Sequence, residues 1–302
     1  MRRIRSDRHP RGFTLVEMII SITLVGVLAV VAVPMLRLPM TAYMDAAHRA
    51  DLASELDASV GRLHDDLGQA LPNSIRTTQV GARWFIEYLE VRAWGRYRAF
   101  VAIPPGLQSC PPSLDTDMLD LGLNETCFIS FGPLQGGAPV VGSDWVVINP
   151  LASAGAVGNP YFGGVTTPVG GIKSRLQSVT PALLPGSRRI TMSPHQMPAG
   201  ASTHQFYIVS TPVSYECNPA TGRLTRYAGY AITAAQPTAF AAGVGAPLAT
   251  LIGNCSFRYQ ATGAPGRGGI VSVWLRFTLP TAGTGVPESV ESFSEFSVRE
   301  PT

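Results

Sequence analysis

Hydrophobic and polar positions divide the chain into three textures. From Met18 to Leu36 there is no charged residue, and only Ser21, Thr23, Gly26 and Pro34 interrupt an apolar run. At 1.5 Å per residue this stretch covers roughly 28 Å, the thickness of a bilayer's hydrocarbon core, and it predicts a membrane-length helix. Beyond Pro34 and Pro39 the pattern becomes amphipathic: Leu52, Leu56, Val60, Leu63, Leu67 and Leu71 recur at steps of three and four, marking one helical face. Arg49, Asp51, Glu55, Asp57, Arg62, Asp65 and Asp66 fall mainly off that stripe and read as a solvated face, His64 beside Asp65 included. Pro72 and the turn "PNS" end the helix near Ala70. A continuous helix over 13–70 would be a rod of roughly 85–90 Å, with a kink or local break expected at its prolines.

From about residue 80 the texture changes to short β-like runs between Gly/Pro-rich turns. The candidates are "RWFIEYLEV", "RYRAFVAI", "CFISFG", "DWVVINP", "RRITMS", "THQFYIVSTPVSYEC", "RLTRYAGYAI", "CSFRYQ", "GIVSVWLRFTL" and "SFSEFSVRE". "NPATG" before Arg223 reads as a hairpin turn. Residues 132–186, poor in charge and rich in Gly, Pro and Ala, read as a loop-rich insertion. The expected fold class is α+β, a long N-terminal helix packed on a C-terminal antiparallel β-rich head of one continuous sheet or of two sub-sheets separated by the 132–186 insertion.

Charge sharpens the N-terminal reading. The net charge is +3, yet Arg2, Arg3, Arg5, Arg8 and Arg11 against Asp7 place +4 in the first dozen residues, leaving −1 on the remainder. The body therefore offers no basic field for nucleic acid. A basic flank before the apolar run places that flank in the cytoplasm and the body across the membrane. An ordinary secretory signal has its small-residue cleavage site after the apolar core. Here the most plausible site, Arg11-Gly12-Phe13, precedes it, so cleavage would remove the charges and keep the helix. An uncleaved signal anchor, carrying an extracytoplasmic enzyme or binding protein, is the alternative.

Glu17 bears on that choice. A carboxylate in a spanning helix costs on the order of 2.5–3.5 kcal/mol at the bilayer centre and less near its edge. Cleavage after Gly12 would make Phe13 an N-terminal amine four residues before Glu17, and stacked helices could pair carboxylate with amine while fixing their register.

"RGFTLVEMIISITLVGVLAVVAVP" resembles the class III signal of type IV pilins and type II secretion pseudopilins. The resemblance implies that prepilin peptidase cuts between Gly12 and Phe13 and N-methylates Phe13. It implies further that Glu17 is the assembly glutamate and that Pro34 marks the place where the helix bends or melts. The implied layout is a leader at 1–12, a transmembrane and filament-core helix at 13–36, an amphipathic helix at 37–71 and a head at 72–302. Such a precursor would sit in the bacterial inner membrane as a single pass with its head in the periplasm. Its partners would be other minor and major pilins, prepilin peptidase and the inner-membrane assembly platform. A head this large suits a priming or tip subunit better than a repeated one.

The cysteines are Cys110, Cys127, Cys217 and Cys255. None forms a CxxC and no histidine lies at zinc-ligand spacing, so an exported body favours two disulfides. Pairing by neighbours, Cys110–Cys127 and Cys217–Cys255, is the simplest of three connectivities. "PVSYECNPATGRLTRYAGY", "GNCSFRYQATG", "GGIVSVWLRFTL" and "FSVRE", with "LPNSIR" after the helix, are similar to the MshO-like minor pilins of mannose-sensitive haemagglutinin pilus systems. That likeness implies a Cys217–Cys255 bridge; J-type secretion pseudopilins share the layout more loosely.

No catalytic motif accompanies these features: the sequence holds no GxSxG, HExxH or GxxxxGK[ST]. "GGIKS" at 170–174 lacks phosphate-loop spacing and reads as a turn, and "GAPGRGG" at 263–269 as a loop. Asp115, Asp117 and Asp120 lack the glycine and closing glutamate of a calcium loop. His195, His204 and Arg188-Arg189 read as structural or surface residues. The sequence therefore points to a structural subunit with no catalytic residues, metal or cofactor.

Overall fold

A computed structural model describes residues 14–98, 118–119, 121, 124–152, 155, 158–162, 171–182, 185–241, 245–261, 267–279 and 288–299. The chain forms two compact units, Met1–Asp51 and Leu52–Thr302. Helix α1, Leu15–Gly68, begins in the first and opens the second. In the second unit follow β1 (Arg76–Val80), β2 (Arg83–Arg96), β3 (Glu125–Ile129), β4 (Gln135–Gly136), β5 (Trp145–Ile148), β6 (Lys173–Pro181) and β7 (Arg188–His195). Then come β8 (Gln205–Asn218), β9 (Arg223–Ala228), β10 (Gly245–Ala249), β11 (Ile252–Gln260), β12 (Arg267–Thr278) and β13 (Ser289–Arg299). The fold is α+β.

In the first unit, α1 is helical without interruption through Pro34 and Pro39, where a local break was expected. Each proline lacks one N–H, but the bonds of the flanking turns hold the backbone helical on both sides. Residues 14–33 are exposed throughout.

In the second unit the strands form two sheets, but they are not divided at 132–186, whose strands belong to the larger one; the smaller begins at Ile252. Among the described residues ten strands join in one sheet with the path β1-β2-β8-β5-β6-β7-β3, β9 and β10 extending from β8 and β4 pairing β2; β11-β12-β13 form the other. All pairings are antiparallel. β8 is the hinge of the large sheet. Its whole length pairs β2, while its opposite edge pairs β5 over Phe206–Val209 and β9 over Val213–Asn218. Pro212, which has no N–H to give, stands where one neighbour has ended and the next has not begun.

The segment 132–186 is more than an insertion. It holds β4, β5 and β6, and β5 lies between β8 and β6 with every residue buried. A strand buried on both faces shows no alternation, only a short apolar run such as Trp145-Val146-Val147-Ile148, and this one is hidden in a poorly charged surrounding.

Burial follows the period of each element. Leu52, Leu56, Leu63 and Leu67 of α1 join Ile86, Tyr88, Val213, Tyr215 and the inner face of β11–β12 in one core. Each such leucine contributes roughly 1.5–3 kcal/mol on leaving water. Further along β8, alternate residues serve opposite faces: Phe206 and Ile208 enter a second core with Val146 and Ile190, and Tyr207 and Val209 a third with Trp145 and Leu71.

Candidate functional site

The N-terminal segment carries most of the sequence-derived sites, and the first turn of α1 is built by its own side chains. Thr14 precedes the helix and its Oγ1 accepts the Glu17 N–H at 3.3 Å. Thr14-x-x-Glu17 thus has the spacing of a capping box, a signal present in the sequence but passed over in reading Glu17. Glu17, exposed in the first turn, also sits where the helix dipole favours an anion by about 0.3–1 kcal/mol. Ser21 Oγ donates to the Glu17 carbonyl at 2.7 Å, and Thr23 Oγ1 to the Ile19 and Ile20 carbonyls at 3.0 and 2.9 Å. These hydroxyls in the apolar run therefore have partners inside the helix, as a lipid environment requires. Leu15–Val33 spans 19 residues with mean hydropathy 2.6, long and apolar enough to cross a membrane. Gly12 and Phe13 lie outside the described residues, as do the leader and the side chain of Pro34.

Residues 7–33 match the family described as the prokaryotic N-terminal methylation motif. The match indicates a type IV pilin-like or pseudopilin-like protein. No curated protein and no solved structure matches the chain. The methylation motif thus covers residues 7–33, including the exposed apolar part of α1, and the β-rich unit is characterised by its own structure.

In the second unit, residues off the leucine stripe do more than face solvent. Asp66 is 5% exposed. Its carboxylate takes Arg226 Nε at 2.6 Å, the Tyr215 hydroxyl at 2.7 Å and Arg62 Nε at 3.0 Å, joining α1 to β8 and β9. Burial lowers the Arg226 pKa, but hydrogen bonding and charge from Asp66 outweigh it and raise it; burial and Asp66 also raise that of Tyr215. Glu55 accepts the Thr250 N–H at 2.8 Å. The helical period puts Asp66 beside the stripe and Arg62 one turn before it, but Tyr215 and Arg226 lie 149 and 160 residues away and left no local signal. His64 and Asp65 remain exposed, with His64 edge-on to Phe296.

On the other face, fully buried Glu87 takes Arg76 and, at 2.9 Å, the Tyr230 hydroxyl. Arg76 also donates to the carbonyls of Thr233 and Ala234 and stacks over Tyr161 at 3.6 Å. Burial raises the Glu87 pKa, while the Arg76 partner pulls it down and Tyr230 supports the charge. The cluster fastens the segment after β9 to the sheet.

Cys217 and Cys255 form a disulfide across 38 residues, linking β8 to β11 and so one sheet to the other. Cys127 is also disulfide-bonded; Cys110, the partner expected for it, lies outside the described residues. Among the turns, "NPATG" is closed by Asn218, whose Oδ1 accepts the Ala220 N–H at 3.1 Å, and by Gly222 at φ +64°.

Other sequence candidates separate. "GGIKS" is not a turn throughout: Lys173 and Ser174 open β6, and Lys173 is 2% exposed, donating to the Phe162 carbonyl at 2.8 Å. The alternation of Ile172, Ser174 and Leu176 was the strand signal there. In "GAPGRGG" the last three residues already belong to β12, and a Cβ on Gly268 would stand 1.9 Å from the Val298 carbonyl oxygen. His195 is buried with Nε2 2.6 Å from the Gly171 carbonyl oxygen, and His204 packs edge-on against Tyr97. Asp115, Asp117 and Asp120 lie outside the described residues; among those described, no group of three His, Cys, Asp or Glu could hold a metal ion.

Proposed function

We propose that the protein is a minor pilin, a structural priming or tip subunit of a type IV pilus. The observation that carries the reading is the methylation motif at 7–33 leading directly into an exposed, membrane-length helix on a chain whose remainder is a large β-rich unit. In this account prepilin peptidase cuts after Gly12 and methylates Phe13. The precursor is anchored in the inner membrane with its head in the periplasm and enters the filament through α1. Glu17 meets the terminal amine of a neighbouring subunit, and the capping of Thr14 sets where that carboxylate stands on the helix. The assembly platform and other pilins are its partners, and its role is structural, without cofactor.

Deletion of the gene in its own host tests the proposal. The expected result is loss of surface pili, restored by the wild-type gene and not by Glu17→Ala, with secretion of extracellular enzymes unchanged. Normal piliation with failed secretion would instead assign the protein to a type II secretion pseudopilus and overturn the pilus reading.

A further inference from the structure

Among the described residues the three-stranded sheet is attached on one side and open on the other. β11 is joined to the large sheet by the Cys217–Cys255 disulfide, whereas β13, eleven residues long, pairs only with β12 among the described residues. An unpaired edge of that length is a template for another strand.

The register shows which residues offer their backbone to it. Ser289 stands opposite Thr278, and the next pair outward is hydrogen-bonded, with the Leu279 N–H donating to the Glu288 carbonyl at 2.9 Å. Hydrogen-bonded and non-bonded pairs alternate in an antiparallel ladder. The inward-facing Ser292, Ser294 and Phe296 therefore bond to β12, while the N–H and C=O groups of Glu291, Phe293 and Glu295 point to the free edge. These same three residues stand on the outer face, and Phe293 is 65% exposed beside Trp274, its cross-strand neighbour.

Glu291 is paired with Arg276 at 3.2 Å, and Glu295 accepts the Ser272 hydroxyl at 3.0 Å. Two carboxylates flanking an exposed aromatic ring disfavour a second copy: antiparallel self-pairing of β13 would crowd four of them on one face. Charge complementarity favours the opposite pattern. Acidic residues at an edge commonly guard against pairing, but a guard does not account for a bare phenylalanine between them.

We propose that the free edge of β13 takes up an extended segment of a different protein by strand addition, the segment carrying basic residues opposite Glu291 and Glu295 and an apolar residue opposite Phe293. This docking is independent of N-terminal processing, so it stands or falls separately from the pilus assignment.

The test uses the full-length protein in nonionic detergent and a fluorescent synthetic peptide in which lysine, valine and lysine alternate with threonine. Saturable binding at physiological salt is expected, weakened about tenfold or more by the double substitution Glu291→Lys and Glu295→Lys. Phe293→Pro removes one outward N–H without touching the β12 ladder and is expected to abolish binding. Amide exchange should show protection of β13 on peptide addition. Absence of binding to the wild type overturns the proposal. So does wild-type affinity in either variant; loss in the charge variant alone would mean surface electrostatics without strand addition. Should Phe293→Pro fail to fold, the charge variant and the exchange of β13 decide: unchanged affinity or no protection overturns the proposal.

Discussion

Lys173, the chain's only lysine, allows a stability prediction in which sign and size can both be worked out. Its ammonium lies inside the large sheet with the Phe162 carbonyl as hydrogen-bond acceptor and the Trp145 ring 5.8 Å away. Burial lowers its pKa from 10.5 to about 8. Above about pH 8 the folded chain therefore holds fewer protons than the unfolded one, and stability rises with pH until the unfolded lysine also titrates near 10.5. Below about pH 8 both states are charged and the folded state carries the full penalty, at most about 3 kcal/mol. Roughly 2 kcal/mol of this should be recovered between pH 7 and 9.5. Higher pH brings in the buried tyrosines, whose raised pKa values work in the opposite direction.

Lys173→Met keeps the stem and discards the charge. The variant should be more stable than wild type at pH 7 by about 1–3 kcal/mol, the two converging near pH 9.5. Denaturant unfolding followed by tryptophan fluorescence, with Trp145 as local reporter, measures both. A wild-type stability flat from pH 7 to 9.5, with Lys173→Met the weaker protein at pH 7, would refute the reasoning.

Asp66→Ala leaves Arg226 and Tyr215 facing each other without their acid and should cost about 3–5 kcal/mol in the same unfolding assay. Replacing Cys217 and Cys255 by serine opens a loop of 38 residues and should lower stability by about 4 kcal/mol in the chain-entropy picture, read as a fall in midpoint with a denaturant slope that rises as the unfolded chain expands. Gly268→Ala drives a methyl into the Val298 carbonyl and should cost more than the ~1 kcal/mol typical of a point substitution, measured by thermal unfolding. Glu17→Ala, in the first turn of α1, should leave the head's unfolding midpoint unchanged while removing the protein from sheared filaments, read by immunoblot.

Legibility in the sequence tracked the range of the interactions. The apolar run before Pro34 and the leucine stripe from Leu52 are local and periodic, and both locate their helix; the alternation read over Arg223–Ile232 locates β9, which ends earlier, at Ala228. β5 was found as an apolar run, but its place between β8 and β6 depends on pairings that sequence spacing does not encode. β1 and β10 were missed because threonine, glutamine, glycine and alanine give them little contrast with the turns around them, and β4 and β6 because they fall in the segment read as a loop-rich insertion. Asp66 was read as part of a solvated face, since Tyr215 and Arg226, which bury its carboxylate, come from distant strands. The Cys217–Cys255 link was the simplest of three pairings by spacing and was implied by the minor-pilin likeness, and β8 and β11 bring the two cysteines together. At the N-terminus the motif was plain, whereas the capping of Glu17 by Thr14 had been written in T-x-x-E and not read.

The central claim is that α1 reaches the membrane as the first element of a processed pilin-like chain, and the mature N-terminus tests it most directly. Mass spectrometry of the membrane-extracted protein, from a cell with its own active prepilin peptidase, should return a first peptide beginning at N-methylated Phe13. A protein still beginning at Met1 in that cell would contradict the account.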